Sequence, residues 1–347
     1  MGRRGRMMGE PGCRSVGLSV LGLAAVAGVL VLAACSSSGG GNGGQGSSST
    51  PPPVGSSAGA SPVSDPGSGS GDTKIVAVGA ENEYADVIRQ IGGQYVDASA
   101  IMSNPNTDPH TFEASASVSK TVQAASLVVQ NGLGYDDFMA TIEKASPSSS
   151  RKVIDVQQLL GLPDSTENPH LWYDPKTMPA VAAELVKDLS ALQPDHASYF
   201  QANATTFLAS LKQWTDALAT FKSQHPNTPV AVTEPVADYL LQAAGTDIKT
   251  PWSMQAAIMN DTDPAPQDIS TQDGLFSGKK IKVFLYNQQV TDAITTKFLD
   301  AAHDNNIPVV GVYETMPTDG YTYQSWMLAE LDAMKRAVTD GMSTEKL

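Results

Sequence analysis

Apolar residues fall along this chain in two kinds of run. Short unbroken runs predict buried strands: Ile75-Val76-Ala77-Val78, SLVVQNG (126–132), KVIDV (152–156), PVAVTE (229–234), KIKVFLYN (280–287) and IPVVGVYE (307–314). Between them lie stretches whose apolar residues recur at helical spacing: EYADVIRQIGG (83–93), YDDFMATIEKA (135–145), PVADYLLQAAG (235–245), DAITTKFLDAAHDNN (292–306) and SWMLAELDAMKRAV (325–338). Strands alternating with helices predict parallel sheets of the α/β class. The alternation breaks over residues 177–223, which hold no strand-like run. TMPAVAAELVKDLSAL (177–192) is helical, and the segment from Pro194 to Gln224 keeps helical periodicity throughout. At 1.5 Å per residue that segment spans roughly 45 Å. The pattern therefore predicts two similar Rossmann-like lobes, 73–176 and 229–347, joined through a helical region, 177–228, whose long rigid helix acts as a spine.

The N-terminus follows other rules. Arg3, Arg4, Arg6 and Arg14 precede an apolar run, VGLSVLGLAAVAGVLVLAA, that ends in Leu32-Ala33-Ala34-Cys35. This reads as a secretory signal over residues 1–34. A transmembrane anchor is the competing reading. The small residues before Cys35 resemble a lipobox, with Cys35 as the lipidation site. Residues 35–72 are rich in Gly, Ser and Pro, have almost no apolar content and cannot bury enough apolar surface to fold. They predict a disordered tether between a membrane lipid and the folded body.

Composition narrows the function. The only cysteines are Cys13 and Cys35, so the body after the signal has no disulfide and no thiolate ligand. Formal net charge is −14; the signal holds four arginines and one glutamate, so the remainder carries −17. So acidic a chain is unsuited to nucleic acid and raises the local concentration of cations.

Four residues share a context that points to chemistry. His110 in DPHTFE and His170 in NPHLWYDP each sit in a Pro-His step near an aromatic residue. Glu234 and Glu314 each close a predicted strand. Ligands in open α/β sheets bind outside the carboxyl ends of the strands. Two imidazoles and two carboxylates can complete a divalent metal site. The four are 60, 64 and 80 residues apart, so no local motif joins them. Each also has a plainer reading: His110 as a solvated turn residue, His170 as a stacking partner of Trp172, Glu234 as a helix N-cap, Glu314 as a surface acid. His196, His225 and His303 read as packing or surface residues.

The order of IGGQYV (91–96), DPHTFE (108–113), VVQNGLGYDDFM (128–139), NPHLWYDP (168–175), VTEP (232–235) and VYET (312–315) resembles the zinc- and manganese-binding solute-binding lipoproteins of ABC transporters, the ZnuA/TroA-like family. The resemblance covers nearly all of residues 74–345. It implies two α/β lobes joined by a long helix with one metal between them, bound by His110, His170, Glu234 and Glu314. The chain departs from the family in lacking a His- and Asp-rich loop after His110. Glu234 stands where zinc importers often have a third histidine, and Glu314 where the family usually has Asp. A carboxylate in place of a histidine at 234 hardens the donor set, and Glu for Asp at 314 lengthens that arm by one methylene; together they predict Mn²⁺ as cargo, with Zn²⁺ close behind.

The expected role is capture of the ion and delivery to an ABC permease, by a monomeric, lipid-anchored receptor on the extracytoplasmic face of the cell membrane. Pro169, Phe112, Trp172 and Tyr173 are expected to shield the metal. Two other classes compete. A receptor for an iron chelate would use the same fold without these ligands. A zinc hydrolase would use His110, His170 and Glu314 as ligands and Glu234 as general base.

Overall fold

The computed structural model describes residues 73–106, 112–317 and 320–347. Its first sheet is built from β1 (Ile75–Glu81), β2 (Val96–Met102), β3 (Leu127–Gln130) and β4 (Lys152–Asp155), in the order β2-β1-β3-β4. The second is built from β5 (Pro229–Val232), β6 (Asp247–Ile248), β7 (Val283–Asn287) and β8 (Val309–Val312), in the order β6-β5-β7-β8. All pairs are parallel. The two sheets thus share one topology: the second strand flanks the first, and the next two follow on its other side. Each has a switch point where the winding reverses, between β1 and β3 and between β5 and β7.

Helices cover the sheets, as parallel strands require. In the first lobe these are α1 (Asn82–Gly92), α2 (Ala116–Ala124), α3 (Asp137–Ala145) and α4 (Val156–Leu159). After α5 (Thr177–Leu192) and one 3-10 turn comes α6 (Ala197–Gln224), 28 residues long and about 42 Å at 1.5 Å per residue. The second lobe carries α7 (Asp238–Ala243), α8 (Trp252–Met259), α9 (Pro266–Ser277), α10 (Ala293–Asp304) and α11 (Tyr323–Asp340). No helix among the described residues is long and apolar enough to cross a membrane.

The spine helix α6 buries a stripe at alternating spacings of four and three: Phe200, Ala204, Phe207, Leu211, Trp214, Leu218 and Phe221. That stripe faces α1 and α5 on one side and α7 and α11 on the other. One hydrophobic cluster consequently runs from Ile75 and Leu127 of the first sheet, through α6, to Val230, Leu285 and Val310 of the second. Smaller clusters fill the outer faces, around Val78 and Val128 in one lobe and Phe284 and Phe298 in the other. Gly79 lets α1 fold back tightly onto β1, since a Cβ there would sit 2.5 Å from the Ala85 nitrogen.

Sequence patterning and structure differ in several places, the short helices α2 and α4 among them, where no helix was expected. β2 was not expected: it is an edge strand, with Asp97, Ser99 and Ala100 partly or fully exposed, so its apolar pattern is interrupted. β6 is two residues long, too short for any periodic signal. α8 and α9 lie where no element was expected. α9 carries Asp, Ser, Thr and Gly, poor helix formers, and buries only Gln272, Leu275 and Phe276. The spine begins at Ala197 rather than Pro194, because residues 194–196 form a separate 3-10 turn.

Candidate metal centre

Two of the four proposed ligands, His170 and Glu314, face each other between the lobes, and Glu234 is joined to Glu314 through Asn287. His170 lies near the end of the first lobe, after β4 and α4, while Glu234 follows β5 and Glu314 follows β8 in the second. His170 and Glu314 are fully buried and Glu234 almost so. His110 lies outside the described residues.

The imidazole of His170 is held from all sides. Its peptide neighbour Pro169 is fixed by Asn131, whose Nδ2 donates to the Pro169 carbonyl at 2.8 Å; Tyr84 in turn donates to Asn131 Oδ1 at 2.7 Å. A 3-10 turn, Leu171–Tyr173, follows and is tied down by the Thr177 hydroxyl donating to the Leu171 carbonyl. Trp172 and Tyr135 meet the imidazole edge-on at 5.4 and 5.8 Å.

Asn168 sets the tautomer. Its Nδ2 donates to the Pro235 carbonyl at 2.8 Å, which turns Oδ1 toward His170. That oxygen accepts the His170 backbone N–H at 3.0 Å and lies 2.8 Å from Nδ1. Nδ1 therefore carries a proton, donated to Asn168, and Nε2 is left to face the second lobe. Nε2 faces Glu314 Oε2 at 3.3 Å. Two acceptors this close require a proton or a cation between them. Donors bound to one ion at about 2.1 Å and a tetrahedral angle are about 3.4 Å apart, so the separation suits a shared metal.

Glu314 is aimed by its neighbours. Gln289 Oε1 accepts the backbone N–H of Glu314 at 2.6 Å and of Thr315 at 2.8 Å, and Gln289 Nε2 donates to the Thr315 hydroxyl. Tyr135 donates to Glu314 Oε2 at 3.1 Å. Asn82, at the start of α1, exchanges two hydrogen bonds with the Met316 backbone, 2.7 and 2.9 Å, tying the Glu314 loop to the opposite lobe. Asn287, the last residue of β7, donates from Nδ2 to Glu234 Oε1 at 2.8 Å and to Glu314 Oε1 at 2.7 Å. Among the described residues, no set of three His, Cys, Asp or Glu side chains is by itself arranged to hold a metal ion.

The first lobe adds acids whose carboxyls burial pushes above the usual range. Burial, with Asp136 and Glu83 nearby, holds Glu81 well above the usual carboxylate range. Burial pushes Glu83 up to about 8, against its backbone contacts and with the charge of Glu314 adding to the rise. Asp136, whose carboxylate accepts the Asn131 and Gly132 N–H groups, is pushed by burial up to about 7.

The plainer readings fare differently. Glu234 is not an N-cap: α7 begins at Asp238 behind Ala237 and has no side-chain cap. Glu314 is buried, not a surface acid. His170 does contact Trp172, yet it also faces Glu314. His196 stacks on Tyr95 at 3.6 Å, His225 lies against Phe221, and His303 pairs with Glu345. The Tyr173 hydroxyl bonds to the Tyr313 carbonyl and Glu330. Phe112 packs on Phe138. Asn168, Asn287, Gln289 and Tyr135 escaped sequence reasoning because they are uncharged. Asn287 did carry a signal: it closes an apolar strand, as the two glutamates do.

A sequence profile of the family described as zinc-uptake complex component A, periplasmic, matches residues 78–337. A manganese ABC transporter substrate-binding lipoprotein, PsaA of Streptococcus mitis, is 24% identical over 299 residues, which cover 79% of this chain and 91% of that protein. In fold the chain is similar to the periplasmic zinc binding protein TroA from Treponema pallidum, with a TM-score of 0.65 at 17% identity, covering 78% of this chain and all of that one. It is similar too to the solute-binding protein FpvC from Pseudomonas aeruginosa in complex with Mn²⁺, with a TM-score of 0.63 at 18% identity over 77% of this chain and 99% of that one.

Proposed function

Because the chain belongs to the family of zinc-uptake complex component A, periplasmic, we propose that it captures one divalent transition metal ion, Mn²⁺ or Zn²⁺, between its two lobes and delivers it to the permease of an ABC importer. His170, Glu234 and Glu314 are the ligands, with His110 as the fourth on the strength of its DPHTFE motif. The observation that carries this reading is the buried approach of His170 Nε2 to Glu314 Oε2, 3.3 Å apart and from opposite lobes.

The ion is cargo, so the site has to hold it and then release it. A ligand shifts an open–closed balance only through its differential affinity for the two states. Donors from both lobes supply that difference, since either lobe alone offers part of the set. The shared core along α6 limits how far the lobes separate. In this reading lipid on Cys35 anchors a monomeric receptor on the extracytoplasmic face of the cell membrane; Cys35 and the expected tether, 35–72, lie outside the described residues. The hydrolase and iron-chelate readings draw no support from the relatives' names or from the site.

Calorimetric titration of the chelator-stripped protein tests this function. One Mn²⁺ or Zn²⁺ should bind per chain, and His170→Ala should abolish or greatly weaken that binding. Undiminished binding in the variant, or none in the parent, would remove the basis for a metal receptor.

A further inference from the structure

Helix α1 packs one face into the hydrophobic core, through Tyr84, Val87, Ile88 and Ile91. Another face meets the second lobe. Asn82, Asp86 and Gln90 stand four residues apart, so they line up along one side of the helix. Each bonds across the lobes. Asn82 exchanges its two hydrogen bonds with the Met316 backbone, just past Glu314. Asp86 Oδ2 accepts the Tyr323 backbone N–H at 2.9 Å. Tyr323 opens α11, so that N–H has no partner within its own helix, and a carboxylate there suits the positive end of the helix dipole. Gln90 and Gln324 exchange two amide bonds, Gln90 Nε2 to Gln324 Oε1 at 3.0 Å and Gln324 Nε2 to Gln90 Oε1 at 2.9 Å. Gln90 Nε2 also donates to Asp86 Oδ2 at 2.6 Å, which links the second rung of this ladder to the third.

None of these bonds uses a side-chain atom of His170, Glu234 or Glu314. They favour the joined lobes with or without an ion. His170 and Glu314 are fully buried, so an ion reaches them only when the lobes part. We propose that Asn82, Asp86 and Gln90 are positioning residues for Glu314: they clamp the second lobe onto α1, and breaking this clamp is the step that admits and releases the ion. The proposal rests on the metal-receptor reading of the site.

Such a clamp acts on rates rather than on affinity. A contact present in both the ion-free and the loaded protein makes the lobes part less often in each. Capture and release then slow by the same factor, and their ratio stays as it was. A contact made only around the bound ion would slow release alone.

Gln90 and Gln324 are partly exposed, so truncating them spares the core. Capture of Zn²⁺ by the full chain, and its release, are each timed by stopped flow against a fluorescent chelator. Gln90→Ala, Gln324→Ala and the double variant should each speed both steps about fivefold to tenfold, as expected for a lost pair of hydrogen bonds, with the ratio of the two rates unchanged. The double variant should be about as fast as Gln90→Ala, because both single changes remove the same pair. Both rates unchanged, or release alone faster, would overturn the proposal. No binding of Zn²⁺ by the parent would instead refute the metal-receptor reading on which it rests.

Discussion

At the scale of single residues, the site is organised by amides as much as by its charged groups. His170 presents Nε2 only because Asn168 takes the proton side of the ring, and Asn168 does so because Pro235 in the other lobe fixes its amide. Removing a group that orients a metal ligand typically lowers metal affinity about 10- to 100-fold. Asn168→Ala should therefore weaken Zn²⁺ binding within that range in a chelator competition, with the fold intact by circular dichroism. An affinity equal to the parent's would mean that the ring is oriented by packing against Trp172 and Tyr135 alone. These amides were hard to find in the sequence. A carboxylate or an imidazole in an acidic, cysteine-free chain invites a chemical reading; an asparagine in NPH or a glutamine after YN does not. The glutamates were legible because charge at the end of an apolar strand is costly unless it is used.

At the scale of elements, the spine helix α6 decides how the halves behave. Its buried stripe belongs to one core with both sheets, and Trp214 meets Tyr323 of α11 edge-on at 6.0 Å. Trp214→Ala should cost about 3–5 kcal/mol, the usual range for a large aromatic removed from a core. Because the cluster is continuous, hydrogen exchange should rise together in β1 and β8. Faster exchange in one sheet alone would show that the lobes unfold independently. The spine and the interior strands were legible because they bury long, regular apolar patterns. β2 and β6 were not, since an interrupted edge strand and a two-residue strand carry little pattern. α8 and α9 are short or polar and owe their helicity to tertiary packing, which overrides weak local propensity.

At the scale of the whole molecule, buried acids make stability depend on pH. Glu330 accepts hydrogen bonds from the Tyr173 hydroxyl and Trp326 Nε1, at 2.9 and 2.8 Å, yet burial pushes it up to about 8. Glu83 shares that direction, and burial pushes Asp238 up to about 7. In the unfolded chain these groups ionise at about pH 4. Between that pH and about 8 the native state holds protons the unfolded chain has lost, so stability should fall as pH rises. Glu330→Gln keeps the accepting oxygen and removes one ionisation. Its urea midpoint should fall less than the parent's between about pH 5 and pH 8. An equally steep fall would show that Glu330 ionises normally in the native protein.

The central claim is that one metal ion joins the lobes at His170, Glu234 and Glu314. Anomalous diffraction from a crystal of the Zn²⁺-loaded protein tests it most directly. One strong peak per chain should appear, within bonding distance of His170 Nε2 and of an oxygen of each glutamate, with His110 as the fourth ligand. A peak away from these residues, or one touching the residues of a single lobe only, would contradict it.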